Sequence, residues 1–157
     1  MDAIVLLKDD HKTVNNLFRQ FEKAKDASPS AKKKIVDQII EELTVHAYIE
    51  ETYFYPAARE AVPTTTDHIL ESVEEHHVVV WMLSELASLD PADEHYDPKV
   101  RVLIENVRHH VEEEEKEWFP KVREAMGRKA LADLGEVLAS AKAEAPSDPL
   151  TLPSATS

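Results

Sequence analysis

The sequence predicts an all-α fold, an antiparallel up-down-up-down four-helix bundle with a short C-terminal fifth helix and a disordered tail. Three observations carry that prediction. Apolar residues recur at spacings of three and four along four long stretches, the period of one helix face. Gly is scarce at 2 of 157 residues, while Ala, Leu, Glu and Lys are plentiful, a mixture that favours helices. The chain also copies itself: His46-Ala-Tyr-Ile-Glu50-Glu51-Thr-Tyr-Phe-Tyr55-Pro56 returns as His110-Val-Glu-Glu-Glu114-Glu115-Lys-Glu-Trp-Phe119-Pro120. Two copies of a long helix joined by short connections make two hairpins, which pack as a bundle.

The first helix is expected from Asp2, as N-cap, to about Asp26, with Ile4, Leu7, His11, Val14, Phe18 and Phe21 on its apolar stripe. Ser28-Pro29-Ser30 supplies a cap and a first-turn proline, so the second helix runs from there to about Glu60 through Ile35, Ile39, Leu43, His46, Glu50 and Phe54. Pro56 should kink its last turn, because the ring clashes with the carbonyl four residues back. After a loop ending in Asp67 as cap, the third helix reaches about Leu89, with Leu70, Val73, His76, Val79, Val80, Leu83 and Leu86 inward. Asp97-Pro98 reads as cap and first position of the fourth helix, which runs through Val100, Leu103, Val107, His110, Glu114 and Trp118 to about Met126. Gly127 is the expected C-terminal cap. An amphipathic segment from Arg128 to about Ala145 comes next, giving one domain over 1–145 and a Pro-, Ser- and Thr-rich tail over 146–157.

Composition narrows the function. A formal net charge of -13 with no basic stripe argues against binding nucleic acid and suits attraction of cations. Without Cys there is neither a disulfide framework nor a thiolate metal site. No segment has the length of a membrane span or a signal peptide, so a cytoplasmic, stand-alone protein, monomeric in the simplest case, is the expectation.

The chemistry sits in the repeat. A residue and the one four on share a helix face, so His46 with Glu50 and His110 with Glu114 each present an imidazole above a carboxylate. His11 and His76 add one imidazole per hairpin; they repeat at an offset of 65, the boxes at 64. All six positions fall where Leu or Val would pack. An ionised Glu there costs several kcal/mol unless a cation compensates, and no Lys or Arg lies on these stripes. Bound metal is the economical answer, with a buried polar network as the alternative. Imidazole plus carboxylate suits iron, manganese or zinc, and two carboxylates on opposing helices can bridge cations about 3.5 to 4 Å apart. Tyr53, His77 and Glu117 are candidates for an additional ligand or for supporting the ligands. Phe18, Val79, Leu83 and Trp118 are candidates for the pocket wall, and Trp81 reads as core. Paired Glu-x-x-His, with Glu first, would point to a ferritin-like site; the single match, Glu74-x-x-His77, lies off the core stripe.

His11, His46-x-x-x-Glu50, His76 and His110-x-x-x-Glu114, over about residues 2 to 126, resemble the hemerythrin-like (HHE cation-binding) family, in its stand-alone bacterial form. That resemblance implies an oxo-bridged pair of iron ions, with Glu50 and Glu114 bridging and the four His terminal. It also implies chemistry on O2, hydrogen peroxide or nitric oxide, by turnover of peroxide or NO or by O2 or iron binding and sensing. The oxygen-carrying members have a fifth His one turn from the third-helix His, and a His-x4-Asp box. Here Ser72 and Val80 flank His76 and the second box ends in Glu114, so oxygen carriage is not what this chain's pattern favours.

Overall fold

The structure, a computed structural model, describes residues 1–156, with no strand among them. Helix α1 spans Ala3–Lys23, and Asp2 caps it by accepting from the Val5 amide at 2.9 Å. Helix α2 spans Pro29–Ile49 under a Ser28 cap, with proline in its first turn as expected. Its continuation is not the expected kink. Glu50–Phe54 forms one π turn before α3 (Tyr55–Ala61) resumes. Widening the turn by one residue accommodates Pro56, which has no amide to donate and whose ring would strike the Thr52 carbonyl in a regular helix. The second copy does the same: α5 (Tyr96–Glu113) passes through a π turn at Glu114–Trp118 into α6 (Phe119–Lys142), with Pro120 in its first turn.

Two caps differ from expectation. α4 covers Thr66–Ser88 behind a 3-10 turn at Pro63–Thr65, which leaves Asp67 inside the first turn rather than capping it. Thr65 stands at the cap position, but its hydroxyl is engaged elsewhere, donating to the Val62 carbonyl and accepting from Trp118 Nε1. α5 begins at Tyr96, before Pro98, and the Asp97 carboxylate accepts from Lys32 Nζ at 2.6 Å instead of capping. Gly127 has φ 78 and ψ 174, a positive-φ conformation open to glycine but not the left-handed helical cap expected, and the chain turns straight into the fifth helical segment without a loop.

On α4 the buried face holds Ile69, Ser72, His76, Val80, Met82, Leu83 and Leu86, while Leu70 and Trp81 are 50% and 63% exposed. The expectation for those two fails on helix geometry. Stepping back seven residues from His76 returns to its face, whereas six back or five on drifts well away from it.

The helices bury two apolar layers. One gathers Phe18, Phe21, Ile39, Leu83, Leu86 and Leu103 with their neighbours, and the other Ile4, Leu7, Ile49, Phe54, Trp118 and Phe119 with theirs. His11, His46, Glu50, His76, His110 and Glu114 are buried and belong to neither. α6 returns along α1, and at Gly135 an added Cβ would lie 2.1 Å from the Met1 carbonyl oxygen, so only glycine permits that approach. The tail departs from the expected disorder. Pro149–Thr151 and Pro153–Thr156 form 3-10 turns against α4, with Leu152 fully buried on Ala47 and Val80; Ser157 lies outside the described residues. Among the described residues no helix is long and apolar enough to cross a membrane.

Candidate metal centre

The structure brings the six motif residues to one place. His11 and His46 stand with their Nε2 atoms 3.2 Å apart, and His76 and His110 pair opposite them with ring centroids 5.0 Å apart. Each glutamate spans both pairs. Glu50 Oε1 lies 3.1 Å from His46 Nε2 and 3.4 Å from His76 Nε2, while Glu114 reaches His11 Nε2 at 3.3 Å through Oε1 and His110 Nε2 at 3.2 Å through Oε2. His11, His46 and Glu114 could hold one cation, and Glu50, His76 and His110 another.

The donor set fits metal on a specific observation. Glu50 and Glu114 are fully buried, and both Glu50 oxygens, Glu114 Oε1 and His110 Nε2 make no hydrogen bond. The imidazoles are near enough to attract these atoms but are not aligned to bond them, and no Lys or Arg pairs with either carboxylate among the described residues. Buried polar atoms without partners cost about 1–3 kcal/mol each, more when charged. Four buried donor atoms that converge without a hydrogen bond are what a cation between them would satisfy.

A second tier of carboxylates, which the motif reading missed, holds the imidazoles from behind. Nδ1 of His46 donates to Asp10 Oδ2 (2.9 Å), His110 to Glu75 Oε1 (2.8 Å), His76 to Glu51 Oε2 (2.7 Å) and His11 to Glu115 Oε2 (2.5 Å). An ionised carboxylate only accepts, so each Nδ1 carries a proton and each Nε2 is the atom turned to the centre, where a metal would displace any second proton. The signal was available: Asp10 and Glu75 directly precede the lone histidines, and Glu51 and Glu115 directly follow the bridging glutamates. Lys142 Nζ in turn grips Asp10 Oδ1 at 2.6 Å, which ties the fifth helical segment to the site.

Electrostatics follow from burial against charge. Desolvation alone would push the imidazoles down, but Glu50 and Asp10 raise His46 to about 10, and Glu114 and Glu75 raise His110 well above its ordinary value. His11 and His76 are raised for the same reason. Burial would raise Glu114, yet His110 and His11 hold it well below the usual carboxylate range. Burial likewise raises Asp10, and its bonds to His46 and Lys142 reverse the sign.

The aromatic at the centre is Tyr55, not Tyr53. The phenol of Tyr55 donates to Glu114 Oε2 at 3.1 Å and lies 3.2 Å from His76 Nε2. Tyr53 is half-buried and meets Tyr48 edge to face at 6.3 Å, away from the six. The π turn is the cause: its i→i+5 bond from the Tyr55 amide to the Glu50 carbonyl restores to the inner face a residue that a regular helix would turn aside. Phe119, its counterpart in the repeat, stacks on His11 at 6.0 Å with an interplanar angle of 1° and has no hydroxyl to offer. His77 faces the tail, donating to the Ser154 carbonyl, and Glu117 is exposed beside Trp118 and Lys121.

Val79 and Leu83 do line the central cavity, with Val14, Leu43, Ala47, Val80, Val107 and Val111. It offers room of about 40 Å³ for the centres of water-sized molecules, enough for roughly three of them. Phe18 and Trp118 do not reach it. Phe18 lines an outer cleft beneath the Arg108 guanidinium, and Trp118 packs below the centre against Tyr55 at 5.5 Å.

Comparison with known proteins agrees with this geometry. Residues 2–122 match the family model of the Hemerythrin HHE cation binding domain. The solved structure of a hemerythrin HHE cation-binding domain-containing protein from Mycobacterium kansasii superposes with a TM-score of 0.78 at 26% identity, covering 92% of this chain and 86% of that one. A protein of Nostoc sp. (strain PCC 7120) described as a DNA nickase is 28% identical over 118 residues, 75% of this chain. The chain spans only 32% of that relative's length.

Proposed function

The chain belongs to the hemerythrin HHE cation-binding family, and from that premise we propose that it is a non-haem di-iron protein that consumes a small oxidant, hydrogen peroxide or nitric oxide. In this reading His11 and His46 would hold one ion and His76 and His110 the other, with Glu50 and Glu114 each near enough to both pairs to serve either ion. The observation that supports it is the pair of fully buried glutamates, each within 3.4 Å of imidazoles from both pairs and each with an unpartnered oxygen. Bound there, iron would supply the redox equivalents and, with four imidazoles and two carboxylates shared between two ions, open positions for a small molecule.

The chain's own residues do the rest. Asp10, Glu51, Glu75 and Glu115 fix the four rings and their tautomers. Val79, Val80, Leu83 and Val107 exclude bulk water and anything larger than a few atoms. Tyr55 holds a proton beside Glu114 and His76, where a small ligand would need one delivered. Catalase-like turnover needs no outside donor, because one peroxide is reduced to water while a second is oxidised to O2.

The test is to load the protein with iron and add peroxide or NO. O2 release from peroxide, or NO loss, abolished together with iron binding in His46→Ala and His110→Ala, is the expected result. Two bound irons without consumption of either oxidant would instead favour O2 or iron binding and sensing.

A further inference from the structure

We propose that residues 149–156 are a positioning strap for the centre, clamping Glu51 through the Ser154 amide and seating Leu152 behind the cavity wall, so that His76 is held in place. This rests on the metal reading above, since His76 is one of its ligands.

The strap's contacts converge on one side of the site. The Ser154 N–H donates to Glu51 Oε1 at 2.9 Å, while Glu51 Oε2 accepts from His76 Nδ1 at 2.7 Å. One carboxylate is thus fixed at both oxygens, by the strap and by the ligand it orients. The Ser154 carbonyl in turn accepts from His77 Nδ1, so the residues following Glu50 and His76 grip one residue of the tail from both ends. Leu152, fully buried, packs on Ala47 and Val80, and both of those line the central cavity. The turns that present these groups are locally set: Asp148 accepts from the Leu150 amide at 3.0 Å, and Pro149 and Pro153 preset φ at each start.

The repeat supplies an internal control. Glu115 plays toward His11 the part that Glu51 plays toward His76, but no tail covers it. Its side chain is 33% exposed, against 3% for Glu51. Lys12, the counterpart of His77, is likewise in solvent. An outer cleft opens beside His11 and Glu115, so the two halves differ at the outer carboxylate, exposed behind His11 and covered behind His76, while both rings are equally buried. The strap makes two sequence-equivalent halves unequal.

The experiment compares the full chain with a deletion of residues 146–157 and with Leu152→Asp, which keeps the tail but puts a charge in its apolar seat. In metal-free protein, hydrogen exchange is read over residues 48–54 and 74–80. In iron-loaded protein, release to a chelator is followed. The full chain should lose one iron more slowly than the other, and both variants should release the slow iron roughly tenfold faster. Both should also lose exchange protection over 48–54 while their helical circular dichroism is retained. Unchanged protection and unchanged release in both variants would overturn the strap. A chain that takes up no iron in any form would overturn the metal reading, and the exchange comparison would still decide the strap.

Discussion

At the residue scale, each imidazole of the centre stands between two carboxylates with different tasks, one directing its Nδ1 proton and one sharing the space before its Nε2. Removing the charge from an outer partner should therefore act through the ring it steers. Asp10→Asn and Glu75→Gln are expected to weaken metal binding by about 10–100-fold while leaving the helical fold intact, measured by competition against a chelator of known affinity. The two tyrosines make opposite predictions. Tyr55→Phe removes a phenol that donates to buried Glu114, and should both change the visible spectrum of the iron-loaded protein and cost about 1.5–3 kcal/mol of metal-free stability; Tyr53→Phe should leave the spectrum as it is. The raised histidines also set a pH dependence. His46 rises from 6.5 to about 10 on folding, so the stability it contributes is complete below pH 6.5 and is lost as pH climbs toward 10. Glu114 is depressed, so its contribution is complete above its ordinary 4.5 and is lost only in stronger acid. Metal-free protein should then be most stable in mildly acidic solution, and metal uptake near neutral pH should expel protons that a weakly buffered indicator can count.

Among the elements, the two π turns decide which side chains meet. Pro56 was legible as an interruption, and the aromatic-Pro ending of both boxes was visible in the repeat. Their consequence was not legible, because period-3.6 reasoning has no place for a turn that gains a residue. It put Tyr53 near the inner face and overlooked Tyr55 for that reason alone. Pro56→Ala restores an amide and relieves the ring's clash with the preceding turn, so the regular helix should return and rotate Tyr55 off the centre. The iron-loaded spectrum of that variant is expected to resemble that of Tyr55→Phe; a spectrum like wild type would show that the π turn does not depend on the proline. The caps fell out of register for a related reason: Thr65 and Asp97 have the right chemistry for caps, but tertiary partners took their polar groups. Gly135 has a purely tertiary role, admitting the Met1–Ala3 backbone, and Gly135→Ala should cost about 1–3 kcal/mol by overpacking, read as a lowered Tm.

For the whole molecule, the bundle and the six inner residues followed from spacing and duplication, because helix periodicity, burial of charge and internal repetition are all written in local order. The tail did not, since its Pro, Ser and Thr content carries no periodic signal and its one buried leucine, Leu152, gains meaning only beside Ala47 and Val80. Nor did the coupling of the fifth segment to the site through Lys142 and Asp10, a contact across 132 residues of chain. The resulting molecule is two similar hairpins that share one polar layer, with four outer carboxylates behind four imidazoles and two glutamates between them. Whether that layer holds a bridged pair of cations is tested most directly by anaerobic titration of metal-free protein with ferrous iron, followed by oxidation and a magnetic measurement of the product. Two irons per chain, a clear rise in Tm, and antiferromagnetic coupling from bridging Glu50 and Glu114 are the expected result. No bound iron and an unchanged Tm, or two magnetically independent ions, would contradict it.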